Sequence, residues 1–155
     1  MKQQNTNRLT AVKSLLLAIV TLSILACSSE QKFQLVSGSP ASLLNDERLQ
    51  VINYWATWCL PCLEEMPELA AFRNKYLDRL EVYAVNYDQP ELAELQVQIE
   101  QLGVEIPALV EDPYQILGYQ RPTVLPTTVV LHRGQVKQVL VGPQTLQSLE
   151  SILQL

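Results

Sequence analysis

Apolar and polar positions divide the chain into blocks with two different periods. Residues Leu49–Trp55 (LQVINYW) and Leu80–Asn86 (LEVYAVN) are short apolar runs rich in β-formers, as buried strands require. Between them, Leu63, Met66, Leu69, Ala70, Phe72, Tyr76 and Leu77 recur near helical spacing and predict a helix over Leu60–Asp78. Pro67 falls inside that helix and should kink it. A second helix is predicted over Pro90–Leu102, ended by Gly103. The acids from Glu91 to Glu100 read as its solvated face. Shorter pieces follow: a strand at Ala108–Val110 and a helical turn at Pro113–Leu117 closed by Gly118. Thr127–His132 and Gln135–Val141 form a hairpin about Arg133-Gly134. Thr145 is placed to cap a last helix over Leu146–Leu153. Upstream, Phe33–Leu35 and Ala41–Leu44 read as short strand or turn pieces around Ser37-Gly-Ser-Pro40. The order β-α-β-α-β-β-α describes an α/β layered domain with a mixed sheet.

The first block obeys neither period. Lys2, Arg8 and Lys13 precede the 12-residue run Leu15–Ala26, which no polar face interrupts. A basic start, a short apolar stretch and a small final residue describe a secretory signal peptide over 1–26. A membrane span would need about 18 or more apolar residues. A buried N-terminal helix is the plainer alternative, but such a helix would normally carry a polar stripe. The run ends at Ile24-Leu-Ala-Cys27, which resembles a bacterial lipobox, with Leu25 a less usual residue at its position. On this reading Cys27 is lipid-modified, residues 27–32 are a tether and 33–155 form the folded domain. Acylation would then hold the protein on a membrane, because two chains anchor stably where one binds only marginally.

Composition narrows the function classes. The chain has 155 residues, 48% of them apolar, enough for one domain with a real core. Net charge is −5, and cleavage before Cys27 would leave 8 basic against 16 acidic residues. A nucleic-acid binder working through a basic surface is therefore disfavoured. One His excludes a His-rich metal site. Three Cys is an odd number, but with Cys27 assigned to lipid, Cys59 and Cys62 remain as a pair in an oxidising compartment.

Cys59-Leu-Pro-Cys62 is the candidate chemistry. Alone, a CxxC fits half a zinc site, a structural disulfide or a redox pair. Zinc would need about four ligands, and the chain has few left to offer. Here the motif follows a buried strand and opens a helix, where free N–H groups and the positive dipole end stabilise a thiolate at Cys59. Cys62 is one turn further in, and Pro61 stiffens the turn.

Val51-Ile-Asn-Tyr-Trp-Ala-Thr-Trp-Cys-Leu-Pro-Cys62 resembles the active-site segment of thioredoxin-fold proteins. Glu64-Glu-Met-Pro-Glu-Leu69 narrows the likeness to the exported TlpA/ResA-like thiol–disulfide oxidoreductases, and Leu125-Pro126-Thr127-Thr128 is similar to their cis-proline element. The resemblance spans about residues 33–154. It implies a thioredoxin-like fold, a central mixed β-sheet flanked by helices. It also implies a Cys59–Cys62 redox disulfide and a substrate-binding surface about Trp58, Leu125 and Pro126, with no cofactor and no metal. Its implied partners are protein disulfide substrates and a membrane electron-donor protein. The implied location is extracytoplasmic or periplasmic.

Single residues refine this. Trp55 is expected to pack in the core and Trp58 to flank the active site. Asn53 stands where thioredoxin itself has a buried acid, a replacement common in the ResA-like branch, and it cannot accept a proton. Glu65, three residues after Cys62, matches that branch's active-site-adjacent glutamate. It either trades protons with the thiols or is only a first-turn acid favoured by the helix dipole. His132 reads as a strand-end residue. Thr127 stands where a cytochrome-maturation protein would carry an acid, which weakens that substrate class. Ser28 gives no aspartate-type inner-membrane retention signal. The same fold run as an oxidant or isomerase is the nearest rival, and a metal or haem-assembly chaperone is the rival from another class. A peroxidase reading lacks its Pro-x-x-x-Thr-x-x-Cys segment.

Overall fold

A computed structural model describes residues 32–155. The proposed signal peptide, Cys27 and most of the tether lie outside the described residues. Chain order is β1 (Phe33–Gln34), β2 (Pro40–Ala41), β3 (Leu49–Trp55), α1 (Leu60–Lys75), β4 (Leu80–Asn86), α2 (Leu92–Leu102), β5 (Ala108–Leu109), α3 (Tyr114–Leu117), β6 (Thr127–His132), β7 (Gln135–Val141) and α4 (Leu146–Leu153). The main sheet runs β5-β4-β3-β6-β7, and β1-β2 form a separate ribbon. β3 pairs parallel with β4 and antiparallel with β6, so the sheet is mixed, as expected.

Strand periodicity decides what meets what. Val51, Trp55, Val82 and Ala84 pack into one buried layer with Met66, Leu69 and Phe72 of α1 and Leu149 of α4. Ile52, Tyr54, Tyr83, Val85, Val129 and Leu131 face the other way, against Phe33, Ala41 and Leu43. Both central strands are thus covered on both sides, which is why they read as continuous apolar runs rather than alternating ones.

Boundaries shift where local geometry overrides periodicity. α1 stops at Lys75 rather than Asp78. The Tyr76 N–H bonds the carbonyls of both Arg73 and Phe72, and its own carbonyl takes the N–H of Arg79 and Leu80, turning the chain into β4. α2 begins at Leu92 rather than Pro90, because Gln89 is left-handed (φ 51°) and Glu91 is still extended (φ −58°, ψ 149°). Thr145 caps α4 as expected: its hydroxyl accepts from the Ser148 N–H, and the Ser148 side chain accepts from the Thr145 N–H. At the β6–β7 hairpin Arg133 and Gly134 both have positive φ, 51° and 70°. A Cβ at Gly134 would also approach Leu44 Cδ2 to 2.8 Å.

Candidate active site

β3 delivers the redox motif. It ends at Trp55, Ala56–Trp58 form a turn, and Cys59 stands at the N-cap of α1. No side chain caps this helix. Pro61 occupies the first turn, where its missing N–H costs no helical bond. The Cys59 carbonyl takes the N–H of Cys62 (3.0 Å) and Leu63 (3.2 Å), winding Cys62 back towards Cys59. The two are joined as a disulfide, with Cα atoms 5.3 Å apart.

A helix start would ordinarily leave Cys59 exposed; instead Cys59 is 5% exposed and Cys62 0%, both inside the core layer that contains Trp55 and Met66. Exposure at this end falls instead on Trp58 (65%) and Leu60 (64%). Solvent access therefore ranks Cys59 above Cys62 only by the small residue of surface that the outer sulfur's residue keeps.

The register of β3 and β6 brings the second motif to the same end of the sheet. Tyr54 pairs with Thr127 and Asn53 with Thr128. Pro126, one residue earlier, is therefore level with the end of β3, from which the Cys59 turn departs. The Leu125–Pro126 peptide is cis. Leu125 is partly buried against the core layer that includes both cysteines. The Pro126 carbonyl accepts from Gly142 N–H at 2.9 Å, and Thr127 Oγ1 donates to the Val124 carbonyl at 2.8 Å. His132 lies at the far end of β6, where its Nε2 meets the Glu47 carbonyl at 3.2 Å, away from this site.

Glu65 is not a first-turn acid. It sits in the second turn of α1, 3% exposed, where no helix-start dipole explains it. Asn53 Nδ2 donates to its Oε1 (2.7 Å) and the Gln144 N–H to its Oε2 (2.7 Å). Asn53 Nδ2 also donates to Thr128 Oγ1 at 3.1 Å, which joins β3, β6 and α1 under the motif. Burial pushes the Glu65 carboxyl up from its ordinary value, and the two donors only partly offset that. No cation faces it in these contacts. A carboxyl held this way stores a proton readily, one turn from Cys62.

Three contacts around the motif have no sequence signal. Gln144 acts through its backbone N–H, which carries no side-chain signal. Asp88 Oδ2 accepts from Trp58 Nε1 at 2.8 Å across 30 residues of chain. Arg121 bonds Asp112 and the Tyr87 carbonyl beside that contact. Each depends on tertiary approach, so no local pattern announces it. Among the described residues, no group of three or more His, Cys, Asp or Glu is arranged to hold a metal ion. Nor, among them, is any helix long and apolar enough to cross a membrane.

A profile of the AhpC/TSA family matches residues 24–139. The chain belongs to this family. Within it, the sequence is 33% identical to the thioredoxin-like protein YneN of Bacillus subtilis, over 77% of this chain and 72% of that one. It is 30% identical to the thiol-disulfide oxidoreductase ResA of Geobacillus kaustophilus, over 99% of this chain and 97% of that one. The fold matches the crystal structure of StoA from Bacillus subtilis with a TM-score of 0.65, at 19% identity, covering 78% of this chain and 93% of that one. This AhpC/TSA-family protein is a ResA-like thiol–disulfide oxidoreductase of thioredoxin-like fold, with its disulfide at Cys59–Cys62.

Proposed function

We propose that this oxidoreductase is exported, held on a membrane by lipid at Cys27, and works as a reductant of extracytoplasmic protein disulfides. The observation that carries the catalytic part is a CxxC disulfide at an uncapped helix start, one turn before a buried carboxyl with neutral donors only. In the reduced protein the Cys59 thiolate attacks a substrate disulfide. That S–S bond breaks, one substrate sulfur leaves and takes a proton, and a mixed disulfide forms at Cys59. Cys62 gives up its proton to Glu65 or through it, attacks the Cys59 sulfur, and releases the second substrate thiol. Two electrons pass to the substrate, and the pair returns to the disulfide. A membrane electron-donor protein then supplies two electrons to restart the cycle.

Trp58 and Leu125 form the apolar floor on which the substrate chain rests, and the backbone beside Pro126 pairs with it as an added strand. The Leu-Pro dipeptide between the cysteines lacks the histidine of the strongly oxidising branch, which supports the reducing direction. The signal-like block 1–26 and the lipobox-like Leu25-Ala-Cys27 support export and anchoring.

Two measurements test this reading. The reduction potential of the pair should lie near roughly −270 mV, and a value near roughly −120 mV would make the protein an oxidant. Cys62→Ser should accumulate mixed disulfides with host proteins on non-reducing gels, while Cys59→Ser should trap almost none. Equal trapping would reverse the assigned roles. For the anchor, Cys27→Ala should move the protein to the soluble fraction with reductase activity intact.

A further inference from the structure

The turn after β4 holds both halves of the active site. Tyr87 N–H donates to the Trp55 carbonyl at 2.7 Å, fastening the turn to the end of β3. Asp88 Oδ2 accepts from Trp58 Nε1 at 2.8 Å, fastening it to the segment just before Cys59. Gln89, in its left-handed conformation, accepts through Oε1 from the Asp112 N–H at 2.9 Å. These contacts belong to the CxxC side.

The Pro126 side is tied to the same turn by one residue. Arg121 stands five positions before Pro126. Its guanidinium lies 4.0 Å from the Tyr87 ring centroid, donates to the Tyr87 carbonyl, and donates through Nε to Asp112 Oδ2 at 2.7 Å. Asp112 is itself fixed, because the Tyr54 hydroxyl of β3 donates to its Oδ1 at 2.6 Å. Tyr54 also meets the Tyr119 hydroxyl at 2.6 Å, two residues before Arg121. Burial above all holds the Tyr54 phenol far above its ordinary value, so this donor does not titrate away. A planar fork with a stacked face and two acceptors is a geometry that arginine supplies and lysine does not. The side chain also walls a hollow of about 440 Å³, lined by Tyr87, Asp88, Glu111 and Tyr114 among others, that opens beside Trp58's partner Asp88.

We propose that Arg121 is a positioning residue: it sets the segment leading to Pro126 against the Trp55–Cys59 turn, and so governs how an extended protein disulfide docks. It touches neither sulfur. Removing it leaves the pair, the N-cap and Glu65 in place but frees the Pro126 segment from the turn after β4, whose Asp88 holds Trp58. A small disulfide needs only the sulfur and is indifferent to this. A polypeptide needs both halves in register and is not.

The proposal rests on the oxidoreductase reading, and the test separates the two. Arg121→Ala and Arg121→Lys are compared with the native protein for turnover of insulin disulfides with dithiothreitol as donor and, as pre-reduced protein freed of dithiothreitol, for the rate of its single turnover with 5,5′-dithiobis(2-nitrobenzoic acid). Thermal melts and the reduction potential are measured alongside. For Arg121→Ala, kcat/KM on insulin should fall about tenfold, mainly through KM, while the small disulfide reacts at the native rate and the potential is unchanged. Arg121→Lys keeps the charge and one donor, and should fall about threefold on insulin only; it also answers the question if the alanine variant does not fold. Equal losses on both substrates, a shifted potential, or no loss on insulin would overturn the positioning role. A native protein that turns over neither substrate would overturn the reductase reading and this inference together.

Discussion

Two carboxylates are buried against the central sheet, and they are treated in opposite ways. Glu81, on β4 at the end away from the redox motif, is 9% exposed and ion-paired. Arg73 of α1 donates to both of its oxygens, and Arg48 stands 3.6 Å off. Glu65, at the other end, is 3% exposed and, among the described residues, receives only an asparagine amide and a backbone N–H. An acid faced by guanidinium serves as a brace. An acid faced by neutral dipoles in a dry site has its proton affinity raised by burial. One helix, α1, supplies Arg73 to the first and Glu65 itself to the second. The contrast separates burial with a counter-charge from burial without one.

The strongest break in the comparison is Glu65→Gln. It should slow protein-disulfide turnover about a hundredfold, as loss of a positioned proton carrier does. It should also flatten the pH dependence of Cys62 alkylation. Glu81→Gln should leave both untouched. Stability carries the same signature with a definite sign. Because the native carboxyl titrates higher than in the unfolded chain, the folded state holds a proton that the unfolded chain has released. Glu65's contribution to native stability is therefore fullest below the ordinary carboxylate range and is lost as pH rises through its raised value. Urea unfolding at several pH values should show this decline in the native protein and not in Glu65→Gln.

Asn53→Asp sharpens the contrast by adding a second acid 2.7 Å from Glu65 Oε1. Two carboxyls so close share one proton. The alkaline decline in stability should start higher and run deeper than in the native protein, and alkylation kinetics should report one coupled titration. A variant that matches the native pH curve would show that Asn53 does not sit in Glu65's proton field.

Arg73→Met tests the other end. Removing the principal partner of a largely buried acid should cost about 2 kcal/mol in urea unfolding, less than for a fully buried pair because both groups keep some solvent contact. Reductase turnover should stay native. The smallest effect is expected at Thr145→Ala, where losing the α4 cap should cost about 1 kcal/mol. That variant doubles as a probe of Gln144, whose N–H to Glu65 comes from the residue before the cap. A cap loss that also alters the pH profile would tie α4 to the proton site.

Much of this architecture was legible before any coordinates. β3, β4, β6, β7 and α4 fall where periodicity and turn chemistry put them, residue for residue. These segments are decided by local rules: β-rich apolar runs, a positive-φ pair at Arg133-Gly134, a threonine cap. The C-terminal end of α1 and the start of α2 differ because Tyr76 and Gln89 adopt turn geometries that their residue types do not demand. The burial of Cys59 has no signature in the motif, because a helix start is usually exposed. Here the disulfide and the packing about Trp55 draw it into the core.

The sequence by itself determined the order of elements, the pairing partner of Cys59, and the residue types available for proton transfer and strand pairing. All of these are set within a few positions of one another or carried by a motif. Only the tertiary structure decided what Glu65 is. Asn53, Gln144 and Thr128 converge on it from 12, 79 and, through Asn53, 75 residues away in the chain. It likewise decided that Tyr87, Asp88, Asp112 and Arg121 meet beside the redox motif. A proton affinity and a docking geometry depend on which groups exclude water and which donors point inward. Those are properties of three-dimensional packing, and they have no period along a chain.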